Sequence, residues 1–198
     1  MTDLRDMLLY LLITATMQNL VLTAGFGSSS LAHMVRRPRY RRSYTRLLLA
    51  FTVVTTAAFY PIDALLPLEW QYRMLRPLIV VVLTAILYMG TVLLTIRRYP
   101  VWYRRVRRLI PMAAFNNIVV GAALVTNYQL EVSFLPAIGI AAGAALGFIL
   151  VSALSAEALE RMDNPDTPAA FRGLPGVLVY LGLFALALMG FDSVLNLI

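Results

Sequence analysis

Apolar residues fall in six long runs, about 7–26, 44–66, 74–96, 106–127, 133–156 and 174–195, divided by short stretches rich in arginine, proline or acid. Each run is close to the roughly 20 residues that an α-helix needs to cross a bilayer. The pattern predicts an all-α integral membrane protein with six transmembrane helices in a single domain over residues 1–198. Two of the runs are interrupted. The first carries amides at Gln18 and Asn19 and then dissolves into Gly25–Phe26–Gly27–Ser28–Ser29–Ser30. In the fourth, Pro111 opens a motif that carries Asn116–Asn117 before Ile118–Val119–Val120–Gly121–Ala122–Ala123.

With Asn19 laid on Asn117, both stretches read Asn–apolar–Val–apolar followed by small residues. Three segments follow from each motif, so the chain divides into repeats over about 7–96 and 106–195. Three is odd, and the second copy must therefore run through the membrane inverted. Inverted repeats place a functional site near the midplane, between interrupted helices at corresponding positions. Asn19, Asn116 and Asn117 are the candidate midplane polar site. Buried amides at that depth commonly bond across helices as structural glue, or they line a pathway. Non-helical backbone such as Gly25–Ser30 survives in the membrane only where protein or water satisfies it.

Charge adds a direction. All 17 basic residues are arginine, and fourteen of them lie in the links after segments one, three and five. Arg5, Arg73 and Arg76 alone fall on the other side. The positive-inside rule then puts the arginine-rich links in the cytoplasm and both termini outside, as in a multi-pass protein of a bacterial inner membrane. The same clusters could attract anionic headgroups or a partner. The first run lacks a basic leader and a small-residue cleavage site, so it reads as a retained segment. The link after segment five differs, with Glu157, Glu160, Asp163 and Asp166 around an Asn164–Pro165–Asp166–Thr167–Pro168 turn.

Composition excludes several chemistries. A mean hydropathy of +0.76 with 14% charged residues is far from a soluble domain, and nucleic acid is not an expected partner. There is no cysteine, which removes thiolate metal sites and cysteine-ligated clusters, and His33 is the only histidine. No metal and no cofactor are expected on this chain. Asp63 is a candidate intramembrane acid, because an acid within an apolar segment usually faces protein or water. The alternative is that the helix ends at Pro61 and leaves Asp63 wet. Gly139, Gly143 and Gly147 form a ladder on one face of segment five, the spacing that lets another backbone approach closely.

Several short strings, in order and at their spacing, resemble a known family. They are Gln18–Asn19–Leu20–Val21–Leu22, Ile62–Asp63, Leu75–Arg76–Pro77–Leu78, Pro100–Val101–Trp102–Tyr103, Ile110–Pro111 with Asn116, Phe171–Arg172–Gly173 and Leu188–Met189–Gly190–Phe191. The chain resembles the A subunit of the Rnf electron-transport complex and the E subunit of the Na+-translocating NADH:quinone reductase, Nqr. The resemblance implies six spans, an inverted repeat with two half-helices, and a pseudo-symmetric sister subunit of opposite orientation. It also implies one mid-membrane [2Fe–2S] cluster, held by two cysteines from each subunit, that relays electrons while Na+ or H+ moves.

At the chemistry itself the sequence departs. Ser29 and Asn117 stand where the resemblance implies cluster cysteines, and neither replaces thiolate at such a centre. The expected function is therefore a cluster-free membrane subunit of an Rnf/Nqr-like complex, non-catalytic or accessory, paired with a sister subunit or with itself as a homodimer. One alternative is a small permease or channel that uses the amides as a polar path. Another is a non-redox assembly or scaffold protein docking through its arginine-rich face.

Overall fold

The computed structural model describes residues 2–35, 38–66, 70–128, 133–162, 164 and 168–195, and among them there is no strand. Arg36, Arg37, Asp163 and the turn residues Pro165–Thr167 lie outside the described residues. Ten α-helices follow one another: α1 (Thr2–Ala15), α2 (Leu20–Ala24), α3 (Ser28–Val35), α4 (Pro38–Ala64), α5 (Trp70–Arg98), α6 (Pro100–Val106), α7 (Leu109–Ala114), α8 (Asn117–Tyr128), α9 (Phe134–Met162) and α10 (Leu174–Leu195). Among the described residues, four stretches are long and apolar enough to cross a membrane: Tyr40–Ala64, Met74–Arg98, Leu109–Thr126 and Phe134–Met162. Leu174–Gly190 is a shorter apolar helix. The first apolar run is not one helix but three pieces, α1, α2 and α3.

The glycine ladder decides where α1 goes. A Cβ on Gly139 would meet the Met7 backbone, one on Gly143 the Leu11 backbone, and one on Gly147 the Ala15 carbonyl. Residue numbers rise together on both sides, so α1 and α9 run parallel, with backbones closer than any side chain would allow. A neighbouring face of α1 shows Leu4, Leu8 and Leu12, about one residue per turn, all exposed. α9 is thereby buried from several sides, against α1, α4, α8 and α10.

α4 and α5 form an antiparallel hairpin. Arg76 meets Asp63 near the turn, and Val80 packs with Phe59. α4 and α8 run parallel, since Tyr44 reaches Asn116 while Phe59 packs with Ala123 further on. These directions bring Arg41, Arg42 and Arg46 to the same end of the bundle as Arg97 and Arg98. The main core gathers Met34, Tyr44, Leu48, Ile110, Ile118, Phe148 and Val151, with the Tyr44 and Phe148 rings 5.6 Å apart. α5 adds only the partly buried Tyr88 and Val92 to it and shows Ile86, Met89, Leu93 and Leu94 outward, as a helix against lipid must.

Helix α4 does not end at Pro61. It runs on to Ala64, and this keeps Asp63 inside the helix and buried rather than wet.

Candidate functional site

The two interrupted segments break in the same way. At the first break, Asn19 has extended backbone (φ −67°, ψ 112°) and caps α2. Its Oδ1 accepts from the Val21 N–H at 3.0 Å, and its Nδ2 donates to the Ala15 carbonyl at 3.0 Å. One amide thus satisfies a carbonyl left by the helix before and an N–H left by the helix after, which apolar surroundings would leave orphaned. At the second break, Asn116 Oδ1 accepts from the Ile118 N–H at 2.9 Å. Its Nδ2 donates to the Tyr44 phenol oxygen at 2.6 Å. Both asparagines are almost wholly buried, Asn19 at 1% exposure and Asn116 at 4%.

The capping geometry therefore pairs Asn19 with Asn116. This moves the register of the two motifs by one position from the alignment that sets Asn19 on Asn117. Asn117 is the first residue of α8, and its side chain is exposed.

What joins the two breaks is glycine, not asparagine. The chain turns from α2 into α3 through Gly25 and Gly27, both left-handed, with φ of 68° and 76°. A Cβ on Gly27 would lie 2.7 Å from Ile118 Cδ1 and 3.1 Å from Asn116 Oδ1, so the first turn packs directly on the second break. Phe26, between the glycines, fills the space that the missing side chain of Gly121 leaves on α8. Asn19 instead faces α9: a Cβ on Gly147 would lie 2.6 Å from Asn19 Nδ2. No hydrogen bond among the described residues links the two asparagines.

Tyr44 ties the assembly to α4. Besides accepting from Asn116, its phenol donates toward the Met112 carbonyl at 3.4 Å, and the Ser30 side chain is a further partner. Tyr44 is fully buried. Nothing local in the sequence marks it, because a tyrosine beside Arg41 and Arg42 reads as an interfacial aromatic. Gly27 stands out in the sequence only as one of two turn glycines.

The two glycines of the turn separate two costs. Gly25→Ala meets nothing within 4 Å and carries only the left-handed backbone penalty, about 1 kcal/mol. Gly27→Ala carries the same penalty plus overlap with Ile118 and Asn116, for which overpacking adds about 1–3 kcal/mol. Thermal unfolding of the two purified variants will rank Gly27→Ala well below Gly25→Ala; equal losses would contradict the packing described.

The remaining polar groups sort by place. Ser28, Ser29 and Asn117 are exposed and follow Gly27 and Asn116 in the chain, while exposed Phe115 sets its ring 5.5 Å from that of Tyr88. Asn117 sits at the middle of the Leu109–Thr126 span. Asp63 lies away from this cluster, at the far end of α4. Its Oδ1 is 2.7 Å from Arg76 Nε, and both side chains are buried, at 7% and 6% exposure. The two atoms meet at an angle poor for a hydrogen bond, so their attraction is chiefly Coulombic. Arg76, which topology assigned to the sparse outer set of charges, is thus the partner of the candidate intramembrane acid.

A [2Fe–2S] cluster does not fit this donor set. The groups beside the Gly27–Asn116 contact are a serine hydroxyl and an amide, hard and weak donors where such a centre takes thiolates. Among the described residues no three His, Cys, Asp or Glu side chains come together.

Residues 8–195 match the family described as Rnf-Nqr subunit, membrane protein. Its relatives include A subunits of the ion-translocating oxidoreductase complex. The one from Actinobacillus pleuropneumoniae serotype 5b (strain L20) is 28% identical over 194 residues, covering 97% of this chain and 99% of the relative. That from Pseudomonas aeruginosa (strain LESB58) is 35% identical over 130 residues, 66% of each chain. That from Shigella sonnei (strain Ss046) is 36% identical over 133 residues, 67% of each.

Proposed function

Since the chain belongs to the Rnf-Nqr subunit family of membrane proteins, we propose that it is a cluster-free subunit of an ion-translocating oxidoreductase complex, pairing through the face around the two helix breaks. One observation carries the reading. Asn117, Ser28 and Ser29 are exposed next to Asn116 and Gly27, which pack together, and Asn117 lies at the middle of an apolar span. An amide facing lipid at that depth lacks any hydrogen-bond partner and is costly. A second membrane subunit, either a pseudo-symmetric sister or another copy of this chain, offers that partner.

The finer architecture belongs to the same proposal. It is a single domain of six crossing segments in two inverted three-helix repeats, with the arginine-bearing end in the cytoplasm of a bacterial inner membrane. The equivalent asparagine caps at the two breaks support it. A polar pathway along Asn19 and Asn116 is less well supported, because both amides are already engaged with helix ends and Tyr44.

The test is co-purification of a tagged chain from its native membranes, comparing the natural sequence with Asn117→Trp. The natural chain will bring down other membrane subunits, and Asn117→Trp will insert normally but recover much less of them. Recovery of this chain alone, or as a homo-oligomer with no other subunit, would argue against a place in a larger complex. Undiminished recovery with Asn117→Trp would move the interface elsewhere.

A further inference from the structure

We propose that the arginine-bearing end of α5 and α6, together with the α4–α5 groove, binds one phospholipid with an anionic headgroup. Helix α5 ends at Arg98, where its apolar span ends. Tyr99 and Pro100 then break the helix, because proline cannot continue the ladder, and α6 starts with Pro100 at its first position. At this break Arg98 from one helix and Arg105 from the other line one open cleft of about 380 Å3, with Trp102 in its wall. That volume is within the range of small-molecule sites.

The charge in this cleft is unanswered. No Asp or Glu occurs between Glu69 and Glu131, while Arg97, Arg98, Arg104, Arg105, Arg107 and Arg108 lie between them. Neither of the ion pairs found among the described residues, Arg76–Asp63 and Arg161–Glu157, involves these six. Guanidinium groups suit phosphate through paired, planar donors. Trp102 is 43% exposed, and an indole at this level suits the headgroup boundary.

A bare anion does not account for what lies beneath. Leu87, Thr91, Leu94 and Arg98 fall on one face of α5, spaced by four, three and four residues. Leu87 and Thr91 form one wall of a groove whose other wall is Leu47, Phe51 and Val54 of α4. The Thr91 hydroxyl donates to the Leu87 carbonyl at 2.8 Å, so the groove presents carbon rather than a polar group. From Thr91 to Arg98 is about 10 Å along the helix at 1.5 Å per residue, a distance one acyl chain covers. A phosphate at Arg98 and Arg105 therefore sets a chain on the face that leads into the groove. Headgroup charge and groove together select an anionic phospholipid.

The experiment uses the full chain purified in detergent and adds phosphatidylglycerol, phosphatidylcholine or inorganic phosphate. Thermal unfolding and native mass spectrometry read the result. Phosphatidylglycerol is expected to raise the Tm and remain bound, while phosphatidylcholine and phosphate do neither. The double variant R98Q/R105Q will bind phosphatidylglycerol roughly thirtyfold more weakly, as loss of two charges near a membrane surface implies. R41Q/R42Q, the same loss of charge on α4, will keep the binding. Leu87→Trp fills the groove while leaving every arginine, and will also weaken retention. Equal weakening by R41Q/R42Q overturns the site in favour of diffuse charge. An equal shift from phosphate or phosphatidylcholine, or unchanged retention in Leu87→Trp, overturns it as well.

Discussion

Replacing Arg76 with leucine will destabilise the protein by about 3–5 kcal/mol, because it leaves the Asp63 carboxylate buried without its counter-charge. The pair joins α4 to α5 near their turn, in a place where water does not screen it. Desolvating both ions is expensive, and their attraction across 2.7 Å offsets that cost only while both are present. The double variant D63L/R76L removes both charges and keeps apolar volume, so it will recover most of the loss. Unfolding of the reconstituted protein by increasing SDS fraction measures both variants against the natural sequence. A double variant no better than R76L would mean that the pair is not the source of the loss.

Gly143→Val will strongly damage the α1–α9 contact. A Cβ there already lies 3.0 Å from Thr14 Cβ and 3.1 Å from Leu11 Cα, and these are parts of a neighbouring helix that cannot swing aside. Overpacking in a well-filled core costs about 1–3 kcal/mol, and a backbone obstacle places this case at or above the upper end. Either α1 is pushed off α9 or the helices shift together, and Asn19 loses its seat on Gly147. Gly90→Ala is the matched control: Gly90 lies within α5 and meets nothing within 4 Å. It will be neutral or stabilising, since alanine favours helix over glycine by about 1 kcal/mol. The same SDS titration separates them, and a control loss as large as that of Gly143→Val would refute the close approach.

Much of the helical content is legible from hydropathy, because an apolar run of bilayer length can satisfy its own backbone only as a helix. The glycine ladder announces a close approach by another backbone, though not that the neighbour is α1 or that the two run parallel. The amides announce themselves as buried polar groups in need of partners. Their mode of satisfaction is local: each Oδ1 accepts from an N–H two residues on, which is short-range capping chemistry. Asn116 and Asn117 are adjacent and chemically identical, however, so no local rule says which one caps. The structure chooses Asn116, where Tyr44 from another helix takes the second half of the amide.

By itself, the sequence determined a membrane-embedded helical protein, one strongly basic set of links, two polar interruptions and a chain unable to ligate a cluster with thiolate. Those follow from composition and from interactions within a few residues. Only the tertiary structure decided that Gly27 packs on Asn116, that Tyr44 holds the second break, that Asp63 is answered by Arg76, and that Arg98 and Arg105 line one cleft. Each of these depends on how separate helices are set against one another, and hydropathy, nearly uniform around such helices, carries little record of which faces meet.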